Sequence, residues 1–198
     1  MLSAAFSPNG TFVVTGSSDN TARIWSASTG AELHVLEGHS SEVYSVAVSP
    51  DGTFVVTCSM EQKVSIWDPA TGAAGHVLST CDFDNPSTNC YNNYVSVHIA
   101  VSPDSTFVAI GSNDGYVRIW DPTTGDVRHE MFGHTYAVNS VAVSPDSAFV
   151  VTGSADATAR IWDATSGAEL RVLTGHAYSV VSVAISPDAA FVVTGSTD

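Results

Sequence analysis

The chain has 198 residues, with 20 Asp and Glu against 6 Lys and Arg and a formal charge of −14. An apolar fraction of 44% is ordinary for a folded protein and excludes a disordered one, while the acidity argues against nucleic acid, which attracts basic faces. No stretch approaches the roughly 18 apolar residues of a membrane helix, and three cysteines are too few for a disulfide framework.

The amino end, "MLSAAFSPNG", carries no basic leader, so no signal peptide is expected. The setting is read as intracellular, cytoplasmic or nuclear, without a membrane partner. The same ten residues open a pattern that recurs. Ser-Pro stands at 7–8, 49–50, 102–103, 144–145 and 186–187, and Ile-Trp at 24–25, 66–67, 119–120 and 161–162. Both markers advance by 42 residues with a single step of 53 at the same place. A period and an exception shared by two markers identify a repeat array.

Residues 134–175 serve as the reference copy. "AVNSVAV" predicts a first strand, closed by the turn "SPDS", and "AFVVTG" predicts a second. A turn at Asp156 leads to "TARIW", the third, and "AELRVL" is the fourth, before Gly175-His176. Four short strands joined by tight turns make an antiparallel meander. Both faces of the inner strands are apolar or small, so such a sheet needs a neighbour on each side. The expected copies are 1–38, 39–79, 93–133 and 134–175, with a partial copy at 176–198 and an insertion at 80–90. Twelve of the twenty acids fall at repeat-locked turns, for example Asp146, Asp156 and Asp163, so much of the charge is turn chemistry multiplied by copy number.

The order Gly-His, Ser-Pro-Asp, Thr-Gly-Ser-x-Asp and Ile-Trp-Asp closely resembles WD40 repeats, the four-stranded blades of β-propellers. The resemblance covers nearly the whole chain. It implies an all-β, WD40-type propeller with four full four-stranded antiparallel blades plus a half blade. Seven blades of this period would need roughly 290 residues. The expectation is therefore an incomplete, open propeller, either a segment of a longer array or one completed by another chain.

The resemblance also implies a buried hydrogen-bonded set in each blade. His134, Thr152, Asp156 and Trp162 form one complete set, and His39, Thr57, Glu61 and Trp67 a second with glutamate for aspartate. The set fails around Trp120, where Asn92 and Ile110 replace histidine and threonine. Thr15, Asp19 and Trp25 lack a histidine, and His176, Thr194 and Asp198 lack a tryptophan. A His-Thr-Asp group also suggests a hydrolase triad, but a periodic pattern anchored by a large aromatic suits a structural staple better.

Departures from the period carry the remaining candidates. In the insertion "TCDFDNPSTNC", Cys81 and Cys90 would pair only in an oxidising compartment. Asp82, Asp84 and Asn85 suggest calcium without the spacing of an EF-hand, and a solvated recognition loop is preferred. Tyr94, Tyr136 and Tyr178 recur at 42 residues, two after Asn92, His134 and His176. They read either as packing between blades or, with Glu42, Met60, Asn113, Asp82 and Asp84, as a partner-binding surface. His34, His76, His129 and Arg171 form a fourth-strand register expected to face solvent. His98 and Cys58 are read as structural, and no cofactor, metal or catalytic residue is expected.

These features point to a non-enzymatic scaffold that binds a protein or peptide through connecting loops. The rival readings are a propeller-framed enzyme with a channel-side site and a regulatory segment of a larger signalling protein. A cullin substrate receptor is disfavoured, because the positions two after Trp-Asp are Ala70, Thr123 and Thr165 rather than basic.

Overall fold

A computed structural model describes residues 1–79 and 98–198. It is all-β among these residues. Sheet 1 is β1 (Ser3–Phe6), β2 (Phe12–Gly16), β3 (Ala22–Ser26) and β4 (Glu32–Leu36). Sheet 2 is β5 (Val43–Val48), β6 (Val55–Ser59), β7 (Lys63–Trp67) and β8 (Ala74–Ser79). Sheet 3 is β9 (His98–Val101), β10 (Val108–Gly111), β11 (Val117–Trp120) and β12 (Val127–Met131). Sheet 4 is β13 (Val138–Val143), β14 (Phe149–Ser154), β15 (Ala159–Asp163) and β16 (Glu169–Leu173), and β17 (Val180–Ile185) and β18 (Val192–Ser196) make a two-stranded sheet. Every sheet is a meander in which consecutive strands pair antiparallel.

The turns explain the strand ends. After β13, the Asp146 carboxylate accepts the Ser144 hydroxyl at 2.6 Å and the Ala148 amide at 3.1 Å, while Ser144 Oγ accepts the Phe149 amide at 2.9 Å. After β15, Asp163 accepts the amides of Thr165 and Ser166 at 3.0 and 2.7 Å. Such side-chain-to-backbone bonds satisfy turn amides that no ladder can reach. The hydrogen bonds from Ser144 and Ser166 hold both carboxyls below their ordinary range. The acidity of the chain is in large part the ionised state of its turns.

Two compact units emerge, one of Met1–Ser79 with Pro122–Gly125 and the other of the remaining residues. In the first, β5 packs on β1 and β2. The core between these sheets joins Val14, Ile24 and Leu36 to Val43, Val55 and Trp67. In the second, Val117, Ile119 and Met131 of sheet 3 meet Val150 and Trp162 of sheet 4. Val151 and Ala159 of sheet 4 then meet Val180 and Val183. Trp67 and Trp162 therefore each pack against the sheet before their own.

The sheets approach closely because one register holds glycine. A Cβ at Gly111 would stand 2.4 Å from Val138 Cγ1, and one at Gly153 2.7 Å from Val180 Cγ1. A register shift between Val138 and Ser140 re-aims the innermost strand. Ser140 Oγ then accepts the Val183 amide at 3.1 Å, and Ser3 Oγ accepts the Val46 amide of sheet 2 at 3.3 Å. Cys58 occupies the glycine register in sheet 2, fully buried, with Sγ 3.2 Å from the Tyr44 hydroxyl. Burial pushes its thiol up to about 12.

Gly153→Ala should overpack this approach and cost about 1–3 kcal/mol. The midpoint of urea unfolding measures it, and an unchanged midpoint would show that the sheets can part without penalty.

Candidate functional site

Two rings meet at one oxygen in sheets 2 and 4. Trp162 Nε1–H donates to Thr152 Oγ1 at 2.8 Å, and His134 Nε2 lies 2.8 Å from the same oxygen. The indole can only donate, so the threonine hydroxyl turns its hydrogen toward Nε2. His134 Nδ1 then carries the imidazole proton and donates to Asp156 Oδ2 at 2.9 Å. Trp162 is 1% exposed and Thr152 fully buried, so this order satisfies polar groups that water cannot reach. Sheet 2 repeats it: Trp67 Nε1 and His39 Nε2 both lie 2.7 Å from Thr57 Oγ1, and His39 Nδ1 lies 3.0 Å from Glu61 Oε1.

Burial opposes charge on the His134 ring and lowers its pKa, although Asp156 pulls the other way. Burial alone would raise the two carboxyls, but hydrogen bonds outweigh it. Thr158 and His134 hold Asp156 below its ordinary value, and Ser40 and His39 hold Glu61 at about 2.

Sheet 3 solves the same problem differently. With Ile110 in place of threonine, Trp120 Nε1 is buried without a partner among the described residues. Asp114, in the aspartate register, holds Arg118 Nη2 at 3.0 Å, while Arg118 Nε donates to Glu130 at 2.8 Å and Nη1 to Ser112 at 3.1 Å. Arg118 is 6% exposed. Its guanidinium carbon lies 4.8 Å from the centre of the Tyr116 ring, and Tyr116 stacks edge-on against Phe132 at 4.4 Å. Sequence reasoning missed this cluster. Its one signal was Phe132, an aromatic at the position held by Glu37 and Thr174 in other copies.

The candidate partner residues separate into groups. Tyr94, Asp82 and Asp84 lie outside the described residues, as do Asn92, Cys81, Cys90 and the rest of the insertion. In the second unit, Tyr136 and Tyr178 are 65% and 64% exposed. Their backbones are pinned, since Ser154 Oγ donates to Tyr136 O and Ser196 Oγ to Tyr178 O, each at 3.0 Å. The turn of half-buried Asn113 abuts the Tyr136 turn, because a Cβ at Gly115 would stand 3.2 Å from Tyr136 O. In the first unit, the Met60 amide donates to Glu42 O at 3.0 Å, with Met60 exposed and Glu42 half-buried.

The fourth-strand register divides: His76 and Arg171 are exposed, as expected of a solvated column, whereas His34 and His129 are half-buried. His34 is half-buried, and its Nε2 lies 3.1 Å from Ala70 O in the last turn of sheet 2. That turn needs Gly72, whose φ is +71° and whose absent Cβ would stand 2.9 Å from His34. His129 packs on Gly167 in the same way. His98 is half-buried on β9, and burial lowers its pKa. Among the described residues, no three His, Cys, Asp or Glu side chains gather as metal ligands would.

Thr152→Val should strand both the indole N–H and imidazole Nε2, at about 1–3 kcal/mol for each group. Trp120→Phe, which removes an N–H without a partner among the described residues, should cost clearly less than Trp162→Phe in the same urea titration.

Acid should also destabilise the fold. His134 binds its proton more readily when unfolded, where the ordinary value near 6.5 returns. Stability is therefore present at pH 7, begins to fall as pH drops through that value, and keeps falling to the lower folded one. His98 adds the same sign. Thermal melts between pH 7 and 5 should show the loss, and His134→Gln should flatten it.

Comparison with known proteins agrees with this geometry. The family model described as "WD domain, G-beta repeat" matches residues 1–26, 30–68, 88–121, 125–163 and 167–198. Over 46 residues, 23% of the chain, it is 44% identical to Dynein assembly factor with WD repeat domains 1 of Danio rerio and 37% identical to that of Homo sapiens. Over 37 residues, 19% of the chain, it is 57% identical to WD repeat-containing protein pop1 of Schizosaccharomyces pombe. The aligned stretches span only 11% of each dynein assembly factor and 5% of pop1. Matched by the repeat model along most of its length, the chain belongs to the WD40 repeat family.

Proposed function

We propose that this chain is a non-enzymatic interaction module that holds a protein or peptide partner on the turns joining its sheets. WD repeat proteins generally mediate protein interactions, and both names above are of WD repeat proteins. The observation that carries the proposal for this chain is the pair Tyr136 and Tyr178. Each offers an exposed aromatic side chain from a backbone pinned by a serine hydroxyl. An aromatic with a polar tip on a preorganised backbone buries much area at little entropic cost. Exposed Phe132, braced by Tyr116, extends the aromatic surface of the same unit. The ionised imidazole partners of sheets 2 and 4 are spent on cohesion, which leaves them unsuited to acid–base work. The partner is read as a cytoplasmic or nuclear protein.

Tyr136→Ser combined with Tyr178→Ser should lower partner capture from native extract by about tenfold or more, equivalent to one good anchor, at an unchanged melting temperature. Undiminished capture of the same proteins by the folded double variant would refute the tyrosine surface.

A further inference from the structure

The turn after each innermost strand closes on one side-chain oxygen. After β5, Asp51 Oδ1 accepts the Ser49 hydroxyl at 2.7 Å and the Thr53 amide and hydroxyl at 3.0 and 2.8 Å. Asp146 and Asp188 accept the hydroxyls of Ser144 and Ser186 at 2.6 Å each, with the amides of Ala148 and Ala190 at 3.1 Å. Asp104 accepts the Thr106 amide and hydroxyl at 3.0 and 2.9 Å. The turn after β1 has the same cradle around an uncharged residue, Asn9. Its Oδ1 accepts the Thr11 amide at 3.1 Å and the Thr11 hydroxyl at 2.7 Å, and the Ser7 hydroxyl lies 2.9 Å away. Ser7 Oγ also lies 3.0 Å from Phe12 O, so its hydrogen is shared between two neutral carbonyls. A carboxylate draws this hydroxyl closer, as the 2.6 and 2.7 Å distances of the other copies show. The cradle suits an acid and holds an amide.

The residue after Asn9 is Gly10. With no Cβ, glycine presents an unhindered backbone nitrogen. Gly10 N–H donates to Ser7 O at 2.9 Å. That bond lies in the peptide plane, so it leaves both faces of the nitrogen open while adding to its electron density. Asn9 is exposed, and so are Asp51, Asp104 and Asp146 in the later copies, so access of water belongs to the turn itself.

We propose that Asn9 is a self-modifying site, at which the chain converts its own asparagine into the aspartate of its other copies. Gly10 N gives its proton to water and attacks Asn9 Cγ. The charge that develops on Oδ1 meets the donors from Ser7 and Thr11, which act as an oxyanion hole. The Cγ–Nδ2 bond breaks and ammonia leaves with a proton from water, giving a five-membered imide. Water then adds to Cγ, where the same donors receive the charge, and the bond to Gly10 N breaks as that nitrogen regains a proton. The sum is asparagine plus water giving aspartate and ammonium. Water adding at the backbone carbonyl of residue 9 would instead give isoaspartate, but the three donors are aimed at Oδ1 and not at that carbonyl. The reaction uses nothing from the tyrosine turns, so it stands or falls independently of the function proposed above.

The test holds the freshly purified full chain at mildly alkaline pH and maps the tryptic peptide of residues 1–23. The mass gain of an amide turned into an acid should accumulate at Asn9. Asn20 in the same peptide and Asn139, neither followed by glycine, should stay unchanged. Aspartate should exceed isoaspartate in the folded chain, and that excess should vanish when the chain reacts in urea. Thr11→Ala copies the natural Ala148 and Ala190, so it keeps the turn while removing one donor, and it should slow conversion by about tenfold or more. Asn9→Asp should melt at or above the temperature of the unconverted chain. The inference is overturned if Asn9 converts no faster than Asn20, or if Thr11→Ala converts as fast or faster. An unchanged product ratio in urea, or a lower melting temperature for Asn9→Asp, would overturn it too, by showing that the cradle neither steers the reaction nor suits its product.

Discussion

A single threonine hydroxyl stands between two aromatic rings in sheets 2 and 4, and the arrangement around it governs much else. One oxygen accepts an indole N–H and donates to an imidazole, which fixes the imidazole tautomer and directs its other nitrogen to a carboxylate. The constraint arises because adjacent sheets bury apolar residues against one another. Polar ring atoms carried into that interior must be satisfied within their own sheet, since an unmet donor or acceptor there costs as much as a good hydrogen bond gains. Where the hydroxyl is missing, at Ile110, the indole N–H has no partner among the described residues and the Asp114 carboxylate holds Arg118. The substitution of one residue thus rewires the polar interior of a whole sheet.

The close stacking has its own requirement. Glycine in the second-strand register lets valines of the next innermost strand approach, and serine hydroxyls on those innermost strands bridge to amides freed by the bulge. These two devices, together with the threonine-centred rings, spend the interior's polar and titratable groups on cohesion. The turns are built from aspartates whose charge is also spent, on backbone amides. What is left to meet other molecules is the set of side chains that the turns themselves project, and Tyr136 and Tyr178 are prominent among them.

The candidate surface was only partly legible. The tyrosines could be found because they share a period and differ from the polar residue, Ser41, in the corresponding copy. Whether they packed or pointed outward could not, because a periodic aromatic serves both ends. Arg118 was invisible for a related reason. It shares its register with Arg23 and Arg160, yet Arg23 pairs on the surface while Arg118 is buried against two acids and a tyrosine. The residue type is the same, and the difference lies in the Tyr116 ring and Ser112 hydroxyl that meet Arg118. The solvated fourth-strand register was legible at His76 and Arg171, which are exposed, but not at His34, which finds a carbonyl across the gap to the next sheet.

From the sequence by itself come the repeat period, the four-strand meander, the turn chemistry and the grouping of histidine, threonine, acid and tryptophan. All of these are local or strictly periodic, and a fixed spacing can encode them. Tertiary structure alone decided which sheet faces take a neighbour and which arginine is buried. Those outcomes depend on what is packed against a residue rather than on the residue itself, and packing partners from different copies are about forty positions apart, beyond the reach of any local pattern.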